Sequence, residues 1–195
     1  KTRDIGIKFK PDPTKGFKCY SDSDFSGIWN KEFAPVDPST AKSRSGYIIM
    51  YANCPIVWAS KLQTETALST TESEYISLST ALREVIPLMN LMEEIKKNVC
   101  VNVTTIPEVK CKAFDDNSGA VELARLPKMR PRTKHINTKF HHFRSYVYRK
   151  LIQIIQVTTD NQLADVLTKN LGRDLFRKFR KAICGYPIDL QDNVA

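Results

Sequence analysis

The chain has 195 residues, of which 42% are hydrophobic and 26% are charged, a composition typical of one globular domain with a sizeable core. The net charge of +9 favours polyanionic partners such as nucleic acids, although a basic protein without such a partner is the alternative. No stretch approaches the roughly 20 apolar residues that a membrane span needs. The five cysteines are widely spaced and form no CxxC pair, which argues against a zinc ribbon or a disulfide framework.

The N-terminal part of the chain predicts mainly strands. Apolar runs alternate there with segments rich in proline, glycine and polar residues. In chain order we predict a linker (1–16), a strand (17–22), a long loop (26–45) and a hairpin whose two runs (46–52 and 55–60) flank Asn53 and Cys54.

One long helix follows the hairpin. Between Glu72 and Lys97, apolar residues recur at steps of three and four, which is the spacing of a single helix face. Pro87 lies within this segment and is expected to kink or break the helix near its middle, because proline removes a backbone donor.

The C-terminal half predicts alternating strands and helices. In chain order we expect a connector (99–109), a strand (110–114), a helix (118–126), a basic loop (126–135), a helix (136–150), a strand (151–157), a helix (162–171) and a helical tail (174–183). An initial meander followed by this alternation predicts an α/β fold, in which helices pack on a mixed sheet.

Four acidic residues lie near the ends of predicted elements, namely Asp22, Glu74, Asp116 and Asp165. Carboxylates at such positions can converge in the folded chain and hold two divalent cations, as phosphodiester cleavage by a two-metal site requires. Oxygen ligands of this kind suit Mg²⁺, whereas thiolates do not.

Each of these acids also has a purely structural explanation. Asp22 is a plausible turn residue after a strand, as is Asp24, and Asp165 is a plausible solvent-facing residue of a short helix. Asp115 or Asp116 could cap the helix that begins near Ser118.

Glu74 has two possible settings at the start of the long helix. With Thr71 it would complete a capping box of the form T-x-x-E. Ser69 and Glu72 offer a competing box, and if Ser69 or Thr70 is the true N-cap, Glu74 is left free near the helix N-terminus.

The sequence blocks around the four acids, taken in order, resemble those of a known family. This resemblance favours the metal-binding explanation of the acids over the structural ones. The chain resembles the ribonuclease H domain of copia-type LTR retrotransposon Pol polyproteins (Pseudoviridae-like) over residues 17–171, with a weaker echo to about Gly185. The blocks in order are CYSDSDFSG, KSRSGYIIM, PIVWASKLQTETALSTTESEYISLS, DDNSGAVELA, RTKHINTKFHHFR and TTDNQLADVLTKNL. The segment 1–16 resembles the stretch that joins the reverse transcriptase to this domain, and 172–195 is expected to be a basic, partly helical tail. The sequence lacks an initiator Met, so we expect a piece of a longer protein.

The resemblance implies a ribonuclease H-like fold, with a five-stranded mixed sheet of order 3-2-1-4-5 and helices on both faces. It implies an endonuclease that cleaves the RNA strand of RNA–DNA hybrids with two Mg²⁺ ions, for which Mn²⁺ can substitute. The catalytic and metal-binding acids would be Asp22, Glu74 rather than Glu72, Asp116 rather than Asp115, and Asp165. In this assignment Asp22 and Asp116 flank both ions, Glu74 holds the ion nearer the leaving group, and Asp165 holds the ion that activates water.

The same resemblance implies the setting of the domain. Its partners would be the hybrid and the reverse transcriptase of the same polyprotein, with no membrane. The location would be cytoplasmic retrotransposon particles, with the nucleus as an alternative. The competing hypothesis is a catalytically inactive module that binds or positions hybrid for a reverse transcriptase.

Candidate nucleic-acid contacts lie after the third acid. Asn117 is a plausible partner for a 2′-hydroxyl, and the basic loop offers charged groups that could bind phosphates without reading bases. The basic residues of that loop are Lys128, Arg130, Arg132, Lys134 and His135, and the last four are the candidate nucleic-acid contacts. The chain departs from the family pattern in reading DNSGA where DNQSA is usual, and Trp58 is expected in the core rather than at a base-stacking surface.

Overall fold

The computed structural model describes residues 5–12, 14–32, 35–98, 109–126, 136 and 138–186. Its centre is a five-stranded sheet of order β3-β2-β1-β4-β5. The strands are β1 (Phe17–Asp24), β2 (Arg44–Tyr51), β3 (Cys54–Leu62), β4 (Cys111–Asp115) and β5 (Ile152–Gln156). The first three strands pair antiparallel, whereas β4 runs parallel to both β1 and β5. The predicted mixed sheet and its 3-2-1-4-5 order are confirmed.

A two-residue turn joins β2 to β3. Its residues Ala52 and Asn53 both have positive φ, at 51° and 61°. Tight hairpins favour such a turn because its twist matches that of the strands. Asparagine tolerates this conformation well. The turn lies one residue earlier than the expected Asn53–Cys54 pair, because Cys54 already begins β3.

The long helix α1 (Thr70–Asn98) runs without a break through Pro87, so the predicted interruption is wrong. Both Pro87 and Arg83, four residues earlier, are exposed. The carbonyl group that loses its helical donor at a proline can therefore face water, which lowers the cost of keeping the helix intact.

Three shorter α-helices follow, and these are α2 (Ser118–Arg125), α3 (Arg144–Tyr148) and α4 (Arg173–Ile183). The helix predicted over 136–150 is instead a 3₁₀ helix (Thr138–His141) followed by α3. The helix predicted over 162–171 is instead a 3₁₀ helix, Leu163–Leu167. Side-chain bonds to distant elements hold both segments: the Tyr75 hydroxyl lies 2.7 Å from His141 Nδ1, and Thr168 donates to Asp22.

Hydrophobic cores cover both faces of the sheet. On one face α1 and α2 pack against residues such as Cys19, Ile49 and Ala113. On the other face the 3₁₀ helix Leu163–Leu167 and α4 cover residues such as Tyr20 and Ile48. Helices on both faces are therefore confirmed. Trp58 is 52% exposed on β3, so its predicted place in the core is wrong.

The segment before β1 lies against the domain. Lys8 N donates to the carbonyl of Cys184 at the end of α4, at 2.9 Å, and Asp12 N donates to Ala52 O at 2.9 Å. The boundaries at 1–16, 17–171 and 172–195 remain predictions. Across the described residues, no helix is both long and apolar enough to cross a membrane.

Candidate active site

Three acidic side chains meet at one end of the sheet. Asp22 lies on β1, Glu74 lies near the start of α1, and Asp116 directly follows β4. Each contributes a carboxylate oxygen, and these oxygens lie within 4.8 Å of one another. Asp22 and Glu74 are buried, whereas Asp116 is partly exposed. The structure thus brings together three of the four acids that the sequence singled out.

The sheet and α1 explain this convergence. Strands β1 and β4 are parallel neighbours, so Asp22 and Asp116 occur on adjacent strand ends. Helix α1 is fixed against β1 because Ser77 Oγ donates to the backbone carbonyl of Asp22 at 2.7 Å. This bond sets Glu74, one helical turn earlier, beside the two aspartates.

The helix cap separates Glu74 from Glu72. Ser69 Oγ accepts a hydrogen bond from Glu72 N at 3.1 Å, and Glu72 Oε2 accepts one from Leu68 N at 2.7 Å. The capping pair is therefore Ser69 and Glu72, one of the two settings that the sequence allowed. Glu74 is not used in the cap, and its carboxylate lies beside those of Asp22 and Asp116. We call these three carboxylates, together with the adjoining Asp165, the acid group.

Strand alternation separates Asp116 from Asp115. Asp115 is fully buried, and it accepts from Ser21 Oγ at 3.4 Å and from Asn117 N at 3.0 Å. Asp116 instead belongs to the group with Asp22 and accepts from Thr159 Oγ1 at 2.9 Å. Neither aspartate caps α2, because Asn117 does so through Oδ1, which accepts from Ala120 N at 3.0 Å.

Asp165 lies on the opposite face of the sheet from Glu74. A lysine, Lys169, connects its carboxylate to that of Asp22. Lys169 Nζ lies 2.9 Å from Asp22 Oδ1 and 3.3 Å from Asp165 Oδ1. Thr168 adds a hydrogen bond from its hydroxyl to Asp22 Oδ2. Sequence reasoning missed Lys169 and Thr168, although both lie within the QLADVLTK block and Lys169 follows Asp165 by four residues.

Burial and mutual repulsion perturb these groups strongly. Burial, reinforced by the charges of Asp115 and Asp22, raises the pKa of Glu74 from 4.5 to about 10. Burial and the charge of Asp22 raise the pKa of Asp165 from 3.8 to about 7, even though Lys169 opposes the shift. The pKa of Asp22 is also raised, mainly by burial. Without a further cation, the site therefore favours holding protons at neutral pH.

The group is compatible with metal binding. Glu74 Oε2 and Asp165 Oδ2 are buried and have no hydrogen-bond partner among the described residues. A buried carboxylate oxygen without a partner is costly, and a cation would satisfy it. The donors are hard oxygen atoms, which suit Mg²⁺ or Mn²⁺ better than softer ions.

The predicted nucleic-acid contacts are only partly visible. Asn117 lies beside Asp116 and uses its side-chain oxygen to cap α2. The basic-loop residues Arg130, Arg132, Lys134 and His135 lie outside the described residues. Their roles, like the catalytic roles of the four acids, remain predictions.

Comparison with solved structures supports the fold. The chain is similar to LC11-RNase H1, a ribonuclease H1 isolated from compost by a metagenomic approach, with a TM-score of 0.50 and 14% identity. The likeness covers 78% of this chain and 92% of that structure. At this level of identity it shows a shared ribonuclease H-like fold.

Comparison with curated proteins gives the family. The chain is 33% identical over 182 residues, 93% of its length, to the retrovirus-related Pol polyproteins from transposons RE1 and RE2 of Arabidopsis thaliana. This chain is a ribonuclease H-like domain of the retrotransposon Pol family. The Pol polyprotein from transposon TNT 1-94 of Nicotiana tabacum is 29% identical over 166 residues, 85% of this chain. No family model matches the chain.

The resemblance drawn from the sequence blocks is thereby confirmed. This Pol-family domain spans 11% of the length of each of these three relatives. The similarity therefore concerns one portion of a much longer polyprotein in each case.

Proposed function

We propose that this Pol-family domain is a metal-dependent endoribonuclease that cleaves the RNA strand of RNA–DNA hybrids during reverse transcription of its element. One observation carries the proposal: Asp22, Glu74 and Asp116 converge within 4.8 Å in a ribonuclease H-like fold, with a buried carboxylate oxygen of Glu74 left without a partner. Mg²⁺ is the proposed cofactor, with Mn²⁺ as a substitute.

Each acid has a distinct place in this proposal. Asp22, Glu74 and Asp116 would hold one cation, and Asp22 with Asp165 would hold a second. When bound, two such ions supply an activated water and stabilise the oxygen that leaves. Thr159 and Thr168 donate hydrogen bonds to Asp116 and Asp22, which would fix the orientation of those carboxylates.

The protein surface offers a means of attracting a hybrid to this acidic site. Helix α4 exposes Arg173, Arg177 and Lys181, which are spaced four residues apart and so share one helix face. Asp174 is the only acid on this helix, and its 4.0 Å ion pair with Arg177 is solvent-exposed and weak. These three residues, here called the α4 stripe, would bind phosphates without reading base sequence.

The biological setting is part of the proposal, and the relatives support it. The reverse transcriptase of the same polyprotein would be the neighbouring partner, and cytoplasmic particles of the element would be the location. The hybrid produced by that polymerase would be the substrate.

The test is cleavage of a hybrid with labelled RNA, in Mg²⁺ and in Mn²⁺, compared with RNA duplex and DNA duplex of the same sequence. Wild type is expected to cut only the RNA of the hybrid. Asp116→Asn keeps the acceptor for Thr159 but removes a charge, so cleavage should collapse while hybrid binding survives. If wild type binds hybrid but never cleaves it in either metal, the domain is an inactive binding module instead.

A further inference from the structure

Lys169 introduces a positive charge into the acid group. It follows the 3₁₀ helix Leu163–Leu167, and its backbone N donates to Asp165 O at 2.8 Å. Its ammonium contacts one oxygen of Asp22 and one of Asp165, whose side chains are 0% and 1% exposed. A single lysine therefore bridges two buried carboxylates from different parts of the chain.

This bridge makes the two halves of the site unequal. Lys169 partly neutralises the Asp22–Asp165 half, as buried charges require. Buried oxygens without a hydrogen-bond partner among the described residues occur in both halves, at Glu74 Oε2 and at Asp165 Oδ2, but the Lys169 ammonium contacts carboxylate oxygens only of Asp22 and Asp165. The half with Glu74 and Asp116 is thus open to a metal cation. The half with Asp22 and Asp165 already holds the ammonium group of Lys169 as its cation.

A divalent ion and the ammonium group would compete for the same oxygen atoms. Mg²⁺ binds carboxylate oxygens at about 2.0–2.1 Å, and a second ion held by Asp22 and Asp165 would take oxygens that the Lys169 ammonium now contacts. Lys169 can yield this place, because its side chain is 35% exposed at the end of a flexible aliphatic stem. Its departure needs rotation of side-chain bonds and no change in the sheet.

We propose that Lys169 is a built-in counter-ion of Asp22 and Asp165, a positioning residue that must be displaced before a second cation binds between them. The inference rests on the proposed metal site. It follows that the first ion, at Asp22, Glu74 and Asp116, binds more tightly than the second, and that Lys169 sets the difference.

The test measures ion binding without substrate, by titrating metal-free protein with Mn²⁺ and counting bound ions by electron paramagnetic resonance. Wild type should bind one ion tightly and a second weakly. Lys169→Met keeps much of the side-chain length but removes the charge, so the second ion should bind about tenfold more tightly or better. Its metal-free form should also melt at a lower temperature. Lys169→Arg should restore the weak second site.

Lys178→Met is the matched control. Lys178 also uses its ammonium within the fold, donating to Asp160 O at 2.7 Å and to Asn161 Oδ1 at 3.2 Å, but it lies outside the acid group. Its loss should lower the melting temperature and leave both Mn²⁺ affinities unchanged.

The outcomes separate this inference from the proposed function. If Lys169→Met leaves the second affinity unchanged, or weakens both ions together, Lys169 is merely structural and the inference fails. If neither wild type nor Lys169→Met binds any Mn²⁺, the metal site itself is overturned, and the proposed function fails with it.

Discussion

Gly46 on β2 lies so close to Thr168 that a Cβ atom at position 46 would stand 2.7 Å from Thr168 Cγ2. It would also stand 2.9 Å from Leu167 Cβ. Gly46 is the ladder partner of Asp22, so the missing side chain allows the segment after Asp165 to approach the centre of the site. The glycine of the RSGY block thus has a structural reason.

Gly46→Val is expected to push Leu167 and Thr168 away from the sheet, which removes the Thr168 bond to Asp22. Overpacking of this kind costs about 1–3 kcal/mol in the free energy of unfolding. The midpoint of urea unfolding and the rate of hybrid cleavage should both decrease. Gly6→Ala is the control, since nothing lies within 4 Å of a Cβ there. Wild-type cleavage by Gly46→Val would refute the requirement for close approach.

Gly119 plays a similar part between α1 and α2. A Cβ at this position would lie 2.8 Å from Thr71 Oγ1 and 3.1 Å from Thr71 Cγ2. Gly119→Ala is expected to separate the two helix N-termini, shift Glu74 relative to Asp116, and lower Mn²⁺ affinity and hybrid cleavage by about tenfold. The double variant Gly119→Ala with Thr71→Ala removes the obstacle and should recover both. A double variant as weak as the single one would rule out this packing explanation.

Glu74→Gln tests the choice of acid at the start of α1. The amide keeps the shape but removes a buried, repelled charge, so the metal-free domain should become more stable while cleavage falls by more than about a hundredfold. Glu72→Gln is the matched control two residues away. Glutamine can still accept from Leu68 N, so both stability and cleavage should stay near wild type. The reverse pattern, with Glu72 essential and Glu74 dispensable, would show the assignment to be wrong.

The metal-free domain should lose stability as pH rises. The folded-state pKa of Glu74 is raised from 4.5 to about 10, so its contribution to the free energy of unfolding is complete below 4.5. That contribution is then lost as pH rises toward 10, and Asp165, at about 7, adds to the decline. Urea unfolding in a chelator from pH 5 to 9 measures the slope. Mg²⁺ and, separately, Glu74→Gln should both flatten it. A flat wild-type profile in the chelator would contradict the raised pKa values of Glu74 and Asp165 in the buried cluster.

The exposed stripe on α4 should contribute to hybrid affinity. Changing Arg173, Arg177 and Lys181 together to Gln is expected to weaken binding and to reduce the slope of log K against log salt by up to about 3, because each phosphate contact contributes about 0.9. Fluorescence anisotropy at several salt concentrations measures this slope.

Three exposed lysines elsewhere provide a control that removes the same total charge. They are Lys10, Lys15 and Lys97. Changing them to Gln should leave the salt slope almost unaltered, because screening limits the reach of exposed charges to about a Debye length. Equal losses from both triple variants would show that net charge alone, and not the α4 stripe, attracts the hybrid.

Much of this domain can be inferred from its amino-acid sequence. Strong local patterns predicted the five strands, the hairpin and α1, because alternation and helical periodicity are short-range properties. The ordered blocks identified the family and selected Asp22, Glu74, Asp116 and Asp165. Where local pattern was weak the predictions were wrong, as in the segments 136–150 and 162–171, which distant side-chain bonds hold in 3₁₀ or short helical form.

The arrangement of these acids depends on how the folded elements pack. Glu74 is separated from capping by the Ser69–Glu72 bonds, and the Asp22–Asp165 pair is bridged by Lys169. The need for glycine at position 46 becomes visible only in the folded structure, where β2 packs closely against Thr168. The Lys169–Asp22 and Gly46–Thr168 contacts join residues more than a hundred positions apart, and no periodicity encodes them. They arise because the parallel pairing of β1 with β4 and the packing on both faces bring the ends of separate elements to one place.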